Sequence, residues 1–181
     1  MKRNISPAFW HRPQWMVLLG VGQVHFIVAA WHGFYDNKEI HLLLDGASQF
    51  VSSLRKNGSF TINLLTEDIL PCLGDEIGKS DIDITKTMFH VKQSSHVPAP
   101  LVEEAPLCFE CEVEMVAPVG RQVHVQGAIQ NILADDSILV NGQIAPTLLQ
   151  GLYRSDIEPM PFPALPWWRR WLWKVRGNYG S

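Results

Sequence analysis

The stretch from Leu107 to Leu133 constrains the fold more than any other part of the chain. Leu107, Phe109, Cys111, Val113 and Met115 share one parity, and Cys108, Glu110, Glu112 and Glu114 share the other. A period of two marks a strand with one buried face. After a break at residues 118–120 the alternation resumes, with Val123, Val125, Gly127 and Ile129 opposing His124, Gln126, Ala128 and Gln130. Two such runs around a Pro/Gly break predict an antiparallel hairpin. A third short run at residues 138–140 follows a polar turn, and Asn141-Gly142 is a turn dipeptide, so the second half reads as a β-meander.

The first half mixes periods. Residues 15–20 and 23–30 read as strands, and residues 39–44 form the nearly continuous apolar run of a buried strand. A helix is predicted next. Ser48 stands at its N-cap, Phe50, Val51 and Leu54 share a face, and Arg55 and Lys56 suit the C-terminal dipole before Gly58. Residues 60–64 resume a strand. Thr66 is placed to cap a second short helix carrying Glu67 and Asp68 in its first turn, with Pro71 as an early interruption. Ser80, Asp81 and Asp83 are placed to start a third.

The chain has 181 residues with 46% hydrophobic content, enough for one sizeable core, and no repeat or low-complexity linker divides it. A formal charge of −3 gives no global reason to expect nucleic acid. No stretch approaches a transmembrane span, and the first twelve residues lack the apolar core and cleavage site of a signal peptide, so the expected location is cytoplasmic.

Three cysteines do not make a disulfide framework. Cys108 and Cys111 are spaced C-x2-C, but in a strand positions three apart face opposite sides, which argues against chelation. The seven histidines show no ligand spacing, and no metal is expected. Gly20-Val21-Gly22 follows an apolar run, yet His25 stands where a dinucleotide fingerprint needs its third glycine. A turn between two strands is the better reading. No nucleophile motif or phosphate loop of the G-x-x-x-x-G-K-[ST] type is present, so no catalytic side chain is nominated.

The order of certain phrases carries more. Ser6-Pro7 precedes a strand, and the next strand ends Ala29-Ala30-Trp31. An apolar strand runs into the Ser48 helix, followed by GSFTIN at residues 58–63, a Gly78-Lys79-Ser80-Asp81 turn, and APLCFECEVE at residues 105–114. In this layout the chain, from about Ile5 to Tyr153, resembles the flavin reductase-like, flavoredoxin-type proteins. The resemblance implies a mainly β fold, a split β-barrel with a few helices. It also implies FMN as cofactor and a homodimer with the flavin in a groove at the subunit interface. Hydride transfer from NADH or NADPH to flavin N5 is the implied activity. Passage of electrons to a small redox protein without NAD(P)H activity is the alternative, and a flavin-free binding protein on the same fold is a third.

The same resemblance nominates site residues. Ring contacts are implied at Val28, Ala29, Ala30 and Trp31, whose backbone N–H groups can meet flavin carbonyls whatever the side chains are; Trp31 is otherwise a space-filling rim aromatic. Phosphate is implied at Asp45, Gly46, Ala47, Ser48 and Gln49, where the first free amides of the helix would face outward. Ser48 is otherwise a helix cap. Gln49-Phe50 departs from the family's usual arginine or strong donor, and Asp45 would repel a dianion. Lys79, beside Ser80, either supplies the missing charge or is a solvated loop lysine. Asn63 either orders the ribityl pocket or satisfies strand-end backbone groups.

The tail departs from the family pattern. Residues 1–158 are assigned to the barrel domain and 159–181 to a Pro/Trp-rich basic C-terminal extension, in which Trp168, Trp171, Leu172 and Val175 form one helical stripe. The stripe is expected to dock across a partner subunit, with contact to a membrane interface as the alternative.

Overall fold

The computed structural model describes residues 14–31, 35–36, 38–144 and 153–154. The docked or membrane-facing tail, the Ser6-Pro7 segment and the 158/159 boundary lie outside them.

Thirteen strands are described. They are β1 (Gln14–Val21), β2 (His25–Trp31), β3 (Tyr35–Asp36), β4 (Glu39–Asp45), β5 (Ser59–Leu64), β6 (Asp81–Ile82), β7 (Val91–Gln93), β8 (Pro100–Val102), β9 (Leu107–Val119), β10 (Gln122–Ala134), β11 (Leu139–Val140), β12 (Gln143–Ile144) and β13 (Tyr153–Arg154). One helix, α1 (Gln49–Asn57), joins β4 to β5. The main sheet runs β3-β4-β10-β9-β5-β1-β2-β6, with β13 paired to β1. This curled, mainly β sheet is a split barrel.

The sheet is covered on both faces, which explains why β1 reads as an unbroken apolar run rather than alternating. Val17, Leu19 and Val21 of β1 enter one core with Ile40, Leu42 and Leu44 of β4, Ile62 of β5 and Val123 and Val125 of β10. α1 closes that core with Phe50, Val51 and Leu54. Leu18 enters a second core on the opposite face, with Phe26, Leu73, Ile82, Phe89 and Leu101. That second cover comes from the irregular segment between β5 and β9. Cys111 sits in the first core and Cys108 in the second, as strand alternation requires.

The helix follows its sequence signals. Ser48 Oγ accepts from Phe50 N–H, and Gly58, at φ 70°, ends the helix with its N–H on the Leu54 carbonyl. A left-handed residue is required there, which is the glycine's role.

The long hairpin forms as expected, but the predicted faces change along it. Bulges between Gln126 and Gly127 and between Ile129 and Asn131 shift the register of β10 against β9. Each extra residue inverts the parity. Thus Val113 packs on the first core but the next β9 contact is Val116 rather than Met115, and on β10 Ile129 is followed by Ile132 and Ala134. Gly127 lies at the first bulge, where an added Cβ would stand 2.6 Å from the Phe60 ring. A second correction concerns Glu110: read as an outward residue, it is 1% exposed because residues 94–100 cross over that face of β9.

The two further helices expected after β5 are not α-helices. Leu70–Glu76 is a 3₁₀ segment whose N-cap is Ile69, not Thr66, and it is interrupted by Gly74. Ser80 and Asp81 start no helix. Asp81 is in β6, and Asp83 instead caps a single 3₁₀ turn at Ile84–Lys86. Pro71 near the start and the left-handed Gly74 three residues later leave no room for an α-helical turn to propagate.

Candidate functional site

The outer edge of β2 follows from how the strands on either side use their backbone. Leu65 N–H bonds the Met16 carbonyl and Asn63 Nδ2 bonds the Leu18 carbonyl, so even-numbered residues of β1 turn toward β5. Odd-numbered residues of β1 therefore turn toward β2, where Val17 opposes Ala29 and Trp15 opposes Trp31. Ala29 and Trp31 then give their backbone groups to β1, while Val28 and Ala30 turn to the outer side. Val28 N–H donates to the Ser80 carbonyl at 2.8 Å. β6 pairs only with Phe26 and Ile27, and among the described residues no strand follows it past Val28. Ala30 thus turns its N–H and C=O to the side on which, among the described residues, no strand pairs with it. Val28 and Ser80, 52 positions apart, are brought together there.

The loop of Asp45, Gly46, Ala47, Ser48 and Gln49 is built differently. Gly46 N–H bonds the Arg121 carbonyl (3.0 Å), Ala47 N–H bonds Asp45 Oδ1 (2.9 Å), and Ser48 N–H bonds the Asp45 carbonyl (3.1 Å). Phe50 N–H is taken by Ser48 Oγ and Val51 N–H by the Ser48 carbonyl, both at 3.1 Å. The amides of Gly46, Ala47, Ser48, Phe50 and Val51 thus have acceptors within the chain, because Asp45 and Ser48 are both good acceptors for nearby backbone donors. Gly46 is held tightly, since a Cβ would stand 2.9 Å from the Arg121 carbonyl. The helix following this loop meets β2 at His25, whose ring lies edge-on to Phe50 at 5.5 Å. That is the opposite end of β2 from Ala30.

Lys79 is also engaged. Its Nζ lies 2.6 Å from Oε1 of Glu76, a buried carboxylate whose Oε2 accepts from Asp83 N–H at 3.0 Å. The Lys79 bond, then the Asp83 N–H, hold the Glu76 carboxyl below its usual range against the opposing effect of burial. Thr85, then Lys86, hold Asp83 down to about 2. Asn63 is fully buried. Its Nδ2 bonds the Leu18 carbonyl and Thr61 Oγ1, and its Oδ1 accepts from Val102 N–H at 3.0 Å. It braces β1, β5 and β8 from inside, which is the strand-satisfying role. Ala30 and Trp31 are described here by their backbone alone.

Two side-chain clusters escaped the sequence reading. His41 Nδ1 and His124 Nε2 meet at 3.0 Å across β4 and β10, with ring centroids 5.2 Å apart and planes within 14°. At that N···N distance the rings lie edge to edge in an in-plane hydrogen bond rather than face to face. Only the β4/β10 register, which opposes His41 to Gln126 and His124 to Leu43, brings residues 83 positions apart together. The second cluster joins the buried Glu110 carboxylate to Asn131 Nδ2 (2.6 Å) and His96 Nδ1 (3.0 Å). A glutamate in an otherwise well-hydrated parity gave no signal of this. Among the described residues no group of three His, Cys, Asp or Glu side chains could hold a metal ion, and no helix is long and apolar enough to cross a membrane. Burial pushes the Cys108 thiol up to about 12 and raises that of Cys111 as well, so neither is a ready thiolate.

The fold with this edge is that of the split-barrel proteins, and the comparisons agree. The profile of the family described as flavin reductase like domain matches residues 40–149. The chain belongs to the flavin reductase-like family. Among solved structures it is similar to flavoredoxin from Methanosarcina acetivorans, with 18% identity, a TM-score of 0.68, and coverage of 91% of this chain and 96% of that one. It is also similar to flavoredoxin of Desulfovibrio vulgaris (Miyazaki F), with 19% identity, a TM-score of 0.63, and coverage of 91% and 99%. A third is the FMN-binding protein from Thermus thermophilus with bound 1-cyclohex-2-enone, at 18% identity, a TM-score of 0.61, and coverage of 81% and 85%. No curated protein matches the chain.

Proposed function

We propose that this chain binds a flavin along the outer edge of β2 and acts as a flavin-dependent oxidoreductase, working as a homodimer with NADH or NADPH as hydride donor. The observation that carries the reading is the outward-turned backbone of Ala30, beside which no described strand pairs, in a chain of the flavin reductase-like family. A flavin ring presents N–H and carbonyl groups along its pyrimidine edge, and a strand edge presents the matching pair without calling on a side chain. The ring therefore fits the residues present.

When bound, the flavin supplies the redox chemistry, accepting a hydride at its N5. The chain's part is to hold and orient. Val28 is fixed by its bond to Ser80, and Ala29 and Trp31 are fixed by β1, so the one outward-facing residue between them has its direction set from both sides. Behind it stands the first core, into which Ala29 packs. Placing two rings at stacking distance needs such a rigid wall more than it needs an acid or base. FMN is the proposed form of the flavin, and a small redox protein is the proposed electron partner if nicotinamide is not the donor.

Adding excess FMN to the purified protein and recording the visible spectrum tests binding, and anaerobic mixing with NADH or NADPH tests the activity. Bleaching of the flavin band by either nucleotide is the expected result. A band that bleaches with dithionite but with neither nucleotide would convert the assignment to an electron carrier. A protein that takes up no flavin would sink the oxidoreductase reading.

A further inference from the structure

We infer that Asn141-Gly142, at the tip of the β11–β12 hairpin, is a site of spontaneous backbone modification, where the Asn141 side chain closes on the Gly142 nitrogen and is converted to aspartate and isoaspartate. The chain holds two Asn-Gly pairs, Asn57-Gly58 and Asn141-Gly142, and all four residues are exposed. Exposure therefore does not separate them, and their backbones do.

In the reaction the Gly142 nitrogen bonds to Cγ of Asn141 and loses its proton, the Cγ–Nδ2 bond breaks, and ammonia departs. Glycine, with no Cβ, leaves the attacking nitrogen unscreened. Water then opens the cyclic imide. Attack at Cγ leaves aspartate, and attack at the backbone carbonyl leaves isoaspartate, with the chain running through the side chain.

At Asn57 each group this reaction needs is held. Asn57 is the last residue of α1, and its Nδ2 donates to the Ser53 carbonyl at 2.7 Å. Gly58 N–H donates to the Leu54 carbonyl at 2.9 Å, and the Gly58 carbonyl accepts from Val113 N–H at 2.8 Å. Closing a ring there would break the helix cap and its join to β9. Asn141 and Gly142 stand in a different setting. They are the loop residues of a two-residue hairpin, at φ 54° and 72°, and the ladder closes on the flanking pair, Val140 and Gln143. A left-handed asparagine carries a conformational cost that rotation out of the turn relieves. β11 and β12 have two residues each and form a two-stranded sheet of their own, an arrangement of marginal stability. Val140 is 51% exposed and adds little apolar hold. The tip of this hairpin therefore opens to the ring-closing geometry far more readily than the end of α1. The product adds a negative charge to the formal −3, and isoaspartate adds a backbone carbon to the loop, which breaks the two-residue turn.

The full chain is incubated in mildly alkaline buffer, native and in urea, and digested at intervals, and the two Asn-Gly peptides are followed by mass and by chromatographic separation of the aspartate and isoaspartate forms. Native conversion is expected to run at least about ten-fold faster at Asn141 than at Asn57, with both product forms at Asn141, and the two sites are expected to react alike in urea. A smaller native ratio, an Asn141 that stays intact while the urea sample converts, a product containing aspartate alone, or a difference that persists unchanged in urea overturns the inference. Flavin takes no part in the measurement, so its outcome is independent of the oxidoreductase reading.

Discussion

The outer edge of β2 and the loop before α1 offer backbone amides to the same kind of ligand, yet they stand in opposite conditions. At Ala30 the N–H is turned outward by the register of β1 and β2, and the strand that could have satisfied it stops two residues earlier. Before α1 the amides are satisfied at once by Asp45 and Ser48, the residue types that favour caps and turns. At Ala30 no described strand pairs on the outer side, whereas donors beside short polar side chains are met by them.

Proline substitutions at neighbouring positions of β2 break the comparison most directly. Ala29→Pro removes a donor that β1 uses and should prevent folding, read as loss of the cooperative transition in urea. Ala30→Pro removes an outward donor, so the fold should survive while flavin affinity drops by about ten-fold or more, read by fluorescence titration. If both unfold, the assigned direction of the strand is wrong.

Asn63→Ala is expected to cost about 2 kcal/mol in urea denaturation, since it strands the Val102 N–H in the interior. Its effect on flavin affinity should be no more than its effect on stability implies. Ser48→Ala should cost about 1 kcal/mol as a lost helix cap and leave riboflavin binding unchanged. A loss of FMN affinity alone would return the loop to the binding site.

The smallest expected effect is a pH dependence in the segment around Lys79. Asp83, and Glu76 with it, ionise more readily folded than unfolded. The stability they contribute is complete above the ordinary carboxylate values. It is lost as pH falls through the folded values, for Asp83 between its ordinary value of 3.8 and about 2. Melting temperature should fall across that window, and Asp83→Asn should flatten the fall.

Much of the fold was legible because its signals are local or periodic. Ser48, the Phe50, Val51 and Leu54 stripe and Gly58 define α1 within a residue, and the alternation from Leu107 onward announces the long hairpin. What was not legible depends on pairing. Bulges at Glu114 of β9 and Gln130 of β10 invert the expected faces without a glycine or proline at the second site to mark it. The burial of Glu110 depends on residues 94–100 crossing it, and the His41–His124 contact depends on strand order. For the ring contacts, the sequence order nominated the end of β2 from Val28 to Trp31. It could not distinguish Ala29 from Ala30, because that difference is a matter of which neighbour β1 turns toward. The Asp45 and Ser48 residue types carried both an anion reading and a capping reading, and the hydrogen bonds show the capping.

Cys108 and Cys111 stand three positions apart on one strand and yet look into separate interiors. Each thiol is therefore a reporter confined to its own side of the sheet. A pulse of alkylating reagent along a denaturant series would label the two in order of opening, revealing whether the α1 side or the irregular cover between β5 and β9 gives way first. The chain already carries, in its native residues, the two probes that a study of its unfolding order would otherwise have to introduce.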